Sequence, residues 1–152
     1  LSFERGASEG SAGASGMGGA GLTDLIALLR DAPARLRDDA VLRDRLATLA
    51  IEATALRFAG SRMRQPGLVA DRPHALPLMS KLVATEHAQR VAELGSEIAG
   101  YTGTLWQDPG VPGSGAWPRS YLSSFAGTIA GGTSEILRNV LGEKVLGLPK
   151  TR

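Results

Sequence analysis

The chain has 152 residues, 43% hydrophobic and 21% charged, and its 17 Lys+Arg against 15 Asp+Glu leave a formal net charge of +2. That composition fits one globular domain with a real core, and it excludes a membrane span, since no apolar run approaches the ~18 residues required. The absence of cysteine excludes a disulfide framework or thiolate metal site, while basic residues scattered among acids and only 5% aromatics exclude a nucleic-acid stripe or stacking ladder.

The start at Leu1 shows no Met and no basic segment leading into an apolar one. This predicts a piece of a longer, cytoplasmic protein with no signal peptide. Ser2 to Gly21, SFERGASEGSAGASGMGGAG, holds seven glycines and an embedded G-x-G-x-x-G (Gly16, Gly18, Gly21). By composition it reads as a linker. A dinucleotide turn would need a strand before the glycines and a βαβ unit around them, and neither is present in the pattern.

Leu22 to Arg30 reads as a helix with Leu22, Leu25, Ile26 and Leu29 on one face, ended or bent at Pro33. Asp38 and Asp39 offer an N-cap for the next helix. Its Leu42, Leu46, Leu49, Ala53 and Leu56 follow steps of four and three. Gln65-Pro66-Gly67 closes it. A third helix is predicted from about Ala75 to Ala99, with a seam of Ala84, His87, Val91, Leu94 and Ile98. His87 on that seam reads as a hydrogen-bonded core histidine, and neither it nor His74 has spacing that suggests a metal. Leu105 to Pro118 is a Pro/Gly loop, with Trp106 and Trp117 expected to anchor it. Arg119 to Thr128 predicts a short helix and Ser134 to Leu146 the last one, capped by Gly147 before Pro149. No segment alternates like a strand. The expected fold is all-α, an antiparallel four-helix up-and-down bundle.

The informative segment is Ile129-Ala130-Gly131-Gly132-Thr133-Ser134-Glu135-Ile136-Leu137-Arg138-Asn139, followed by Val145-Leu146-Gly147-Leu148-Pro149. Paired glycines let a ligand approach the backbone, and the helix start supplies free N–H groups and partial positive charge. Chemistry alone favours an ordinary helix with Thr133 as N-cap and Glu135 as a favourable first-turn charge.

IAGGTSEILRN…VLGLP resembles the C-terminal signature of acyl-CoA dehydrogenases. These FAD-dependent enzymes introduce an α,β double bond into acyl-CoA thioesters. The resemblance covers nearly the whole chain and implies the family's C-terminal helical-bundle domain over residues 1–152, without the N-terminal helical and middle β domains. It implies an acyl-CoA substrate, electron-transfer flavoprotein as acceptor, and a homo- or hetero-oligomer (dimer or tetramer).

Many family members place a catalytic Glu two residues before the motif's Thr, where this chain has Gly131. The long-chain and isovaleryl branches take the base instead from an L-x-x-E-R segment on the first bundle helix. Leu1-Ser2-Phe3-Glu4-Arg5 matches that segment. The resemblance thus implies Glu4 as catalytic base, Arg5 with Gly131 and Gly132 at the substrate, and Ser2 to Gly21 as the first bundle helix. Its seven glycines, each costing roughly 1 kcal/mol against Ala, predict fraying. Thr133 and Glu135 fall on positions that approach FAD. Arg30 falls where the family sets an arginine on a neighbouring subunit's FAD, although Ala32, Pro33 and Ala34 replace the aromatic-glycine pair that follows it. The Q-x-x-G-G-x-G turn that meets the flavin pyrophosphate across the interface is represented by Glu97-Ile98-Ala99-Gly100-Tyr101-Thr102-Gly103. Gly100 and Gly103 are kept, while Glu97 replaces Gln and Tyr101 a Gly. A carboxylate there repels a pyrophosphate. Two readings stand side by side: a catalytic subunit, or a non-catalytic or half-active partner in a hetero-oligomer. An acyl-CoA oxidase is a third.

Overall fold

A computed structural model of the chain describes residues 19–68 and 75–150. All its regular elements are helical, with no strand among the described residues. Helix α1 (Leu22–Asp31) is followed by a one-turn helix α2 (Ala34–Arg37), then α3 (Ala40–Met63), α4 (Ala75–Ala99), α5 (Ala116–Ile129) and α6 (Ser134–Val140). A single wider turn, Leu141–Val145, extends α6.

Capping explains several boundaries. The Gly21 N–H donates to the Asp24 carboxylate at 2.8 Å at the start of α1. Asp39 accepts from the Val41 and Leu42 N–H groups at 2.8 and 3.0 Å and so starts α3. Gly147 takes the left-handed conformation (φ 72°) that ends the last helix.

Helix α4 is the central element and touches α1, α3, α5 and α6. Its two halves serve different cores. The C-terminal half sends Val91, Leu94 and Ile98 into a cluster with Leu25 and Leu29 of α1, Leu42 and Leu49 of α3, and Trp117 of α5. The N-terminal half packs Leu78 and Leu82 against Leu137 of α6. Gly95 lets the Trp117 ring lie directly on the α4 backbone.

The structure corrects the sequence reading in three places. Ala84 is exposed rather than on the seam, because α4 changes neighbours midway and the buried stripe turns with them. Helix α5 begins at Ala116, inside the predicted loop, after a tight turn with Gly113, Ser114 and Gly115 all at positive φ. Trp117 is an anchor at 2% exposure, but the Trp106 ring is half exposed; at Trp106 it is the carbonyl that holds the loop, accepting from the Arg119 guanidinium. Of Ser2 to Gly21, only Gly19 to Gly21 are described, and none of these is helical. Glu4, Arg5 and His74 lie outside the described residues. His87 is the expected buried histidine, its Nδ1 3.1 Å from Glu52 Oε2, which also accepts from Arg90 at 2.8 Å. No described helix is long and apolar enough to cross a membrane.

Candidate functional site at the Gly-Gly-Thr corner

Helix α5 ends at Ile129, and Gly131 and Gly132 turn the chain with φ of 67° and 108°. Both values lie in the region that strongly favours glycine. Thr133 is extended, and its hydroxyl oxygen accepts from the Ile136 N–H at 3.3 Å, capping α6. Glu135 is exposed. Its carboxyl is held below the ordinary glutamate range by its own backbone N–H, then by the Thr133 hydroxyl, with Arg138 adding to the effect.

Lys81 crosses from α4 and donates to the Gly132 carbonyl at 2.8 Å. Burial lowers its pKa below the usual lysine value, since the charged form loses solvent there. Arg138 of α6 pairs with Glu86 of α4 at 2.5 Å. Beside the Arg138–Glu86 pair lies an open cleft of about 350 Å³, bounded by Glu86 and Gln89 on α4, Ile129 at the end of α5, and Thr133, Glu135 and Arg138. A Cβ built on Gly131 meets no described atom within 4 Å, so the glycine faces open space.

Lys81 is a contact of this corner that sequence reasoning missed. Its only sequence signal was a lysine one residue before a core leucine, in a chain with just three lysines. Replacing it by Met is expected to remove a hydrogen bond from a charged donor and lower stability by roughly 1–2 kcal/mol. Hydrogen exchange at the amides of residues 131–138 should then quicken more than at Val91–Ile98. Uniform change across both halves of α4 would contradict the local-brace reading.

The remaining predicted residues lie elsewhere. Arg30 is exposed on α1 and bonded to Asp31 at 3.1 Å, which raises its pKa further. Gly100 (φ 58°) terminates α4. Gly103 is buried, and a Cβ there would come within 2.5 Å of the Ser96 carbonyl oxygen, so this glycine is required for packing whatever else it does. Tyr101 is 96% exposed beside them. From Lys81 to Gly100 the α4 axis runs roughly 28 Å. The predicted residues therefore fall into two groups: Gly131, Gly132, Thr133 and Glu135 at one end of α4, with Gly100 and Gly103 at the other. Glu97 at the second end does not stand as a bare charge. Its carboxylate accepts from Arg45 of α3 at 2.7 Å.

The described helices form a bundle with a lysine-braced Gly-Gly-Thr corner at the junction of α5 and α6 and an open cleft beside it. Comparison with known proteins gives the family. The profile described as "Acyl-CoA dehydrogenase, C-terminal domain" matches residues 1–146. Acyl-CoA dehydrogenase IpdE1 of Mycobacterium tuberculosis (strain ATCC 25618 / H37Rv) is 33% identical over 151 residues, which is 99% of this chain and 37% of that protein. Acyl-CoA dehydrogenase IpdE1 of Mycolicibacterium smegmatis (strain ATCC 700084 / mc(2)155) is 32% identical over 116 residues, 74% of this chain and 27% of that protein. The chain belongs to the acyl-CoA dehydrogenase family, and it spans about a third of the length of these relatives.

Solved structures agree on the fold. The structure titled "Tcur3481-Tcur3483 steroid ACAD" superposes with a TM-score of 0.72 at 23% identity, over 86% of this chain and 34% of that one. The ChsE4-ChsE5 complex from Mycobacterium tuberculosis gives 0.67 at 24% identity, over 88% and 38%.

Proposed function

We propose that this chain is the C-terminal domain of an FAD-dependent acyl-CoA dehydrogenase, with Glu4 as the base that removes the substrate's α-proton. The observation that carries the reading is Gly131: the position many members use for their base is a left-handed glycine facing open space. A carboxylate from elsewhere must then serve, and Glu4 in L-x-x-E-R is the matching residue. Its ordinary pKa of about 4.3 makes it a weak base, and burial against an acyl chain would raise it toward working pH.

The residues present fit a flavin in two respects. The corner leaves its glycine backbone open to approach, with the Lys81 charge behind it. At the far end, Arg45 offsets the Glu97 carboxylate that would otherwise repel a pyrophosphate. Thr133 and Glu135 would hold the cofactor from this chain. Arg30, Gly100 and Gly103 would face a neighbouring subunit's, in keeping with the distance between the two ends of α4. FAD when bound accepts the β-hydride, and its ring chemistry is its own. Arg5 would orient the amino-terminal helix or a neighbouring carboxyl group rather than pair with Glu4, since a direct pair would oppose the upward shift of the base.

A second reading, a non-catalytic or half-active partner subunit, is favoured by the turn itself: Glu97 and Tyr101 stand where the resemblance implies Gln and Gly. The test is flavin content and acyl-CoA-dependent dye reduction by the intact protein, alone and with its co-purifying partner. Straight-chain and steroid-bearing thioesters both belong in the panel, the latter because a structural neighbour is titled a steroid ACAD. Bound flavin with turnover supports the dehydrogenase. Flavin retained only by the partner, with activity unchanged when this chain's Glu4 is replaced, supports the second reading.

A further inference from the structure

Ser120 on α5 is buried, at 8% exposure. Its hydroxyl oxygen accepts from the Ala20 N–H at 2.8 Å, while the hydroxyl donates to the Ala116 carbonyl at 2.8 Å. Ala20 lies two residues before α1, so one bond ties the chain entering α1 to a helix one hundred residues away. The approach is close: a Cβ on Gly19 would come within 2.9 Å of the same Ser120 oxygen. Among the described residues this is the only hydrogen bond from residues 19–21 to α5. With a glycine on each side of Ala20, the backbone there is intrinsically free to turn, and the bond to Ser120 holds it.

The bond also marks where the amino-terminal segment joins the bundle. From Leu22 onward the chain runs as α1 against the C-terminal half of α4, with Leu25 and Leu29 in the cluster of Val91, Leu94 and Ile98. The Gly-Gly-Thr corner lies at the other half of α4, braced by Lys81. Helix α5 connects the two places: from Ser120 to its end at Ile129 the axis runs roughly 14 Å. Glu4 precedes Ala20 by sixteen residues (20 − 4). That length of chain reaches roughly 24 Å as a helix and roughly 53 Å when extended. A chain fastened at Ser120 therefore has the length to bring Glu4 to the corner.

We infer that Ser120 is a positioning residue: by holding the joint at Ala20 it sets where the amino-terminal segment starts along α5, and through that segment it aims the Glu4 carboxylate at the substrate. The inference rests on the proposed role of Glu4. It requires no contact between Ser120 and substrate or flavin.

The test is a cycle of Ser120→Ala with Glu4→Gln in the intact protein, read as the rate constant for acyl-CoA-dependent flavin reduction. Ser120→Ala removes the acceptor and is expected to lower that constant about tenfold, since misplacing a reacting group by about 1 Å costs up to about 10²-fold. Flavin content and acyl-CoA affinity should stay unchanged. On the Glu4→Gln background the same substitution should cost nothing further, because the group it aims is already gone. Exchange of the Ala20 amide hydrogen should quicken. Gly19→Ala leaves α5 itself intact but sets a methyl against the Ser120 oxygen, so it should repeat these results even where Ser120→Ala disturbs the fold, which circular dichroism checks. Unchanged reduction in both variants, or an equal loss on both backgrounds, overturns the inference and leaves Glu4 as the base. Full activity in Glu4→Gln removes the base itself, and the inference with it.

Discussion

Gly95→Ala is expected to lower stability by about 2–3 kcal/mol. Two effects oppose each other. Alanine is the better helix former by roughly 1 kcal/mol in a helix interior. Against this, the new Cβ would lie 1.9 Å from Trp117 Cε3 and 2.1 Å from Cζ3, far inside contact distance. Trp117 cannot swing aside, because at 2% exposure its ring is enclosed by the larger core cluster. Overpacking of this kind costs about 1–3 kcal/mol and sometimes more, so the clash wins. The control is Gly60→Ala on α3, where a Cβ meets no described atom within 4 Å. There only the propensity gain remains, and stability should rise by roughly 0.5–1 kcal/mol. Urea midpoints followed by circular dichroism separate the two. A Gly95→Ala protein as stable as wild type would show that the ring does not sit on the α4 backbone. Trp117→Phe added to Gly95→Ala should cost less than the sum of the single changes, since both act on one contact.

The same comparison shows what the chain made legible and what it hid. Helix α4 was readable to its ends because it is long, periodic and bounded by a proline-containing loop and a glycine turn. The Thr133 cap and the Gly147 stop were readable because capping is local chemistry. The seam of α4 was not readable at Ala84, because which face is buried depends on which helix lies alongside, and that changes midway. Lys81 was invisible as a brace, because its partner is a backbone carbonyl fifty-one residues away. The separation of Thr133 and Glu135 from Gly100 and Gly103 likewise needed three dimensions. By contrast, Glu4 and Arg5 are singled out only by a short segment that resembles a family's, with no physical signal that sets them apart from solvated charges.

On the proposed reading, Glu4→Gln in the intact protein should lower the rate of acyl-CoA-dependent flavin reduction by roughly 10²–10⁴-fold, the range for loss of a positioned general base. Flavin content should stay unchanged, since the amide keeps the size of the side chain and Glu4 is not proposed to hold the cofactor. Glutamine cannot accept the α-proton, so the loss should appear in the rate constant for reduction more than in substrate binding. Gly131 supplies the complementary experiment. A glutamate there has open space in front of it, but its backbone must adopt φ 67°, which costs a residue with a Cβ roughly 1–2 kcal/mol. That cost is smaller than the barrier change from losing a base. Adding Gly131→Glu to Glu4→Gln should therefore recover part of the lost activity, by setting a carboxylate where other members of the family carry theirs. Full activity in Glu4→Gln alone would remove Glu4 from the chemistry. Recovery by Gly131→Glu, with Gly131→Gln inactive, would show that the substrate's α-carbon lies within reach of both positions, and hence that the amino-terminal segment and the Gly-Gly-Thr corner share one site.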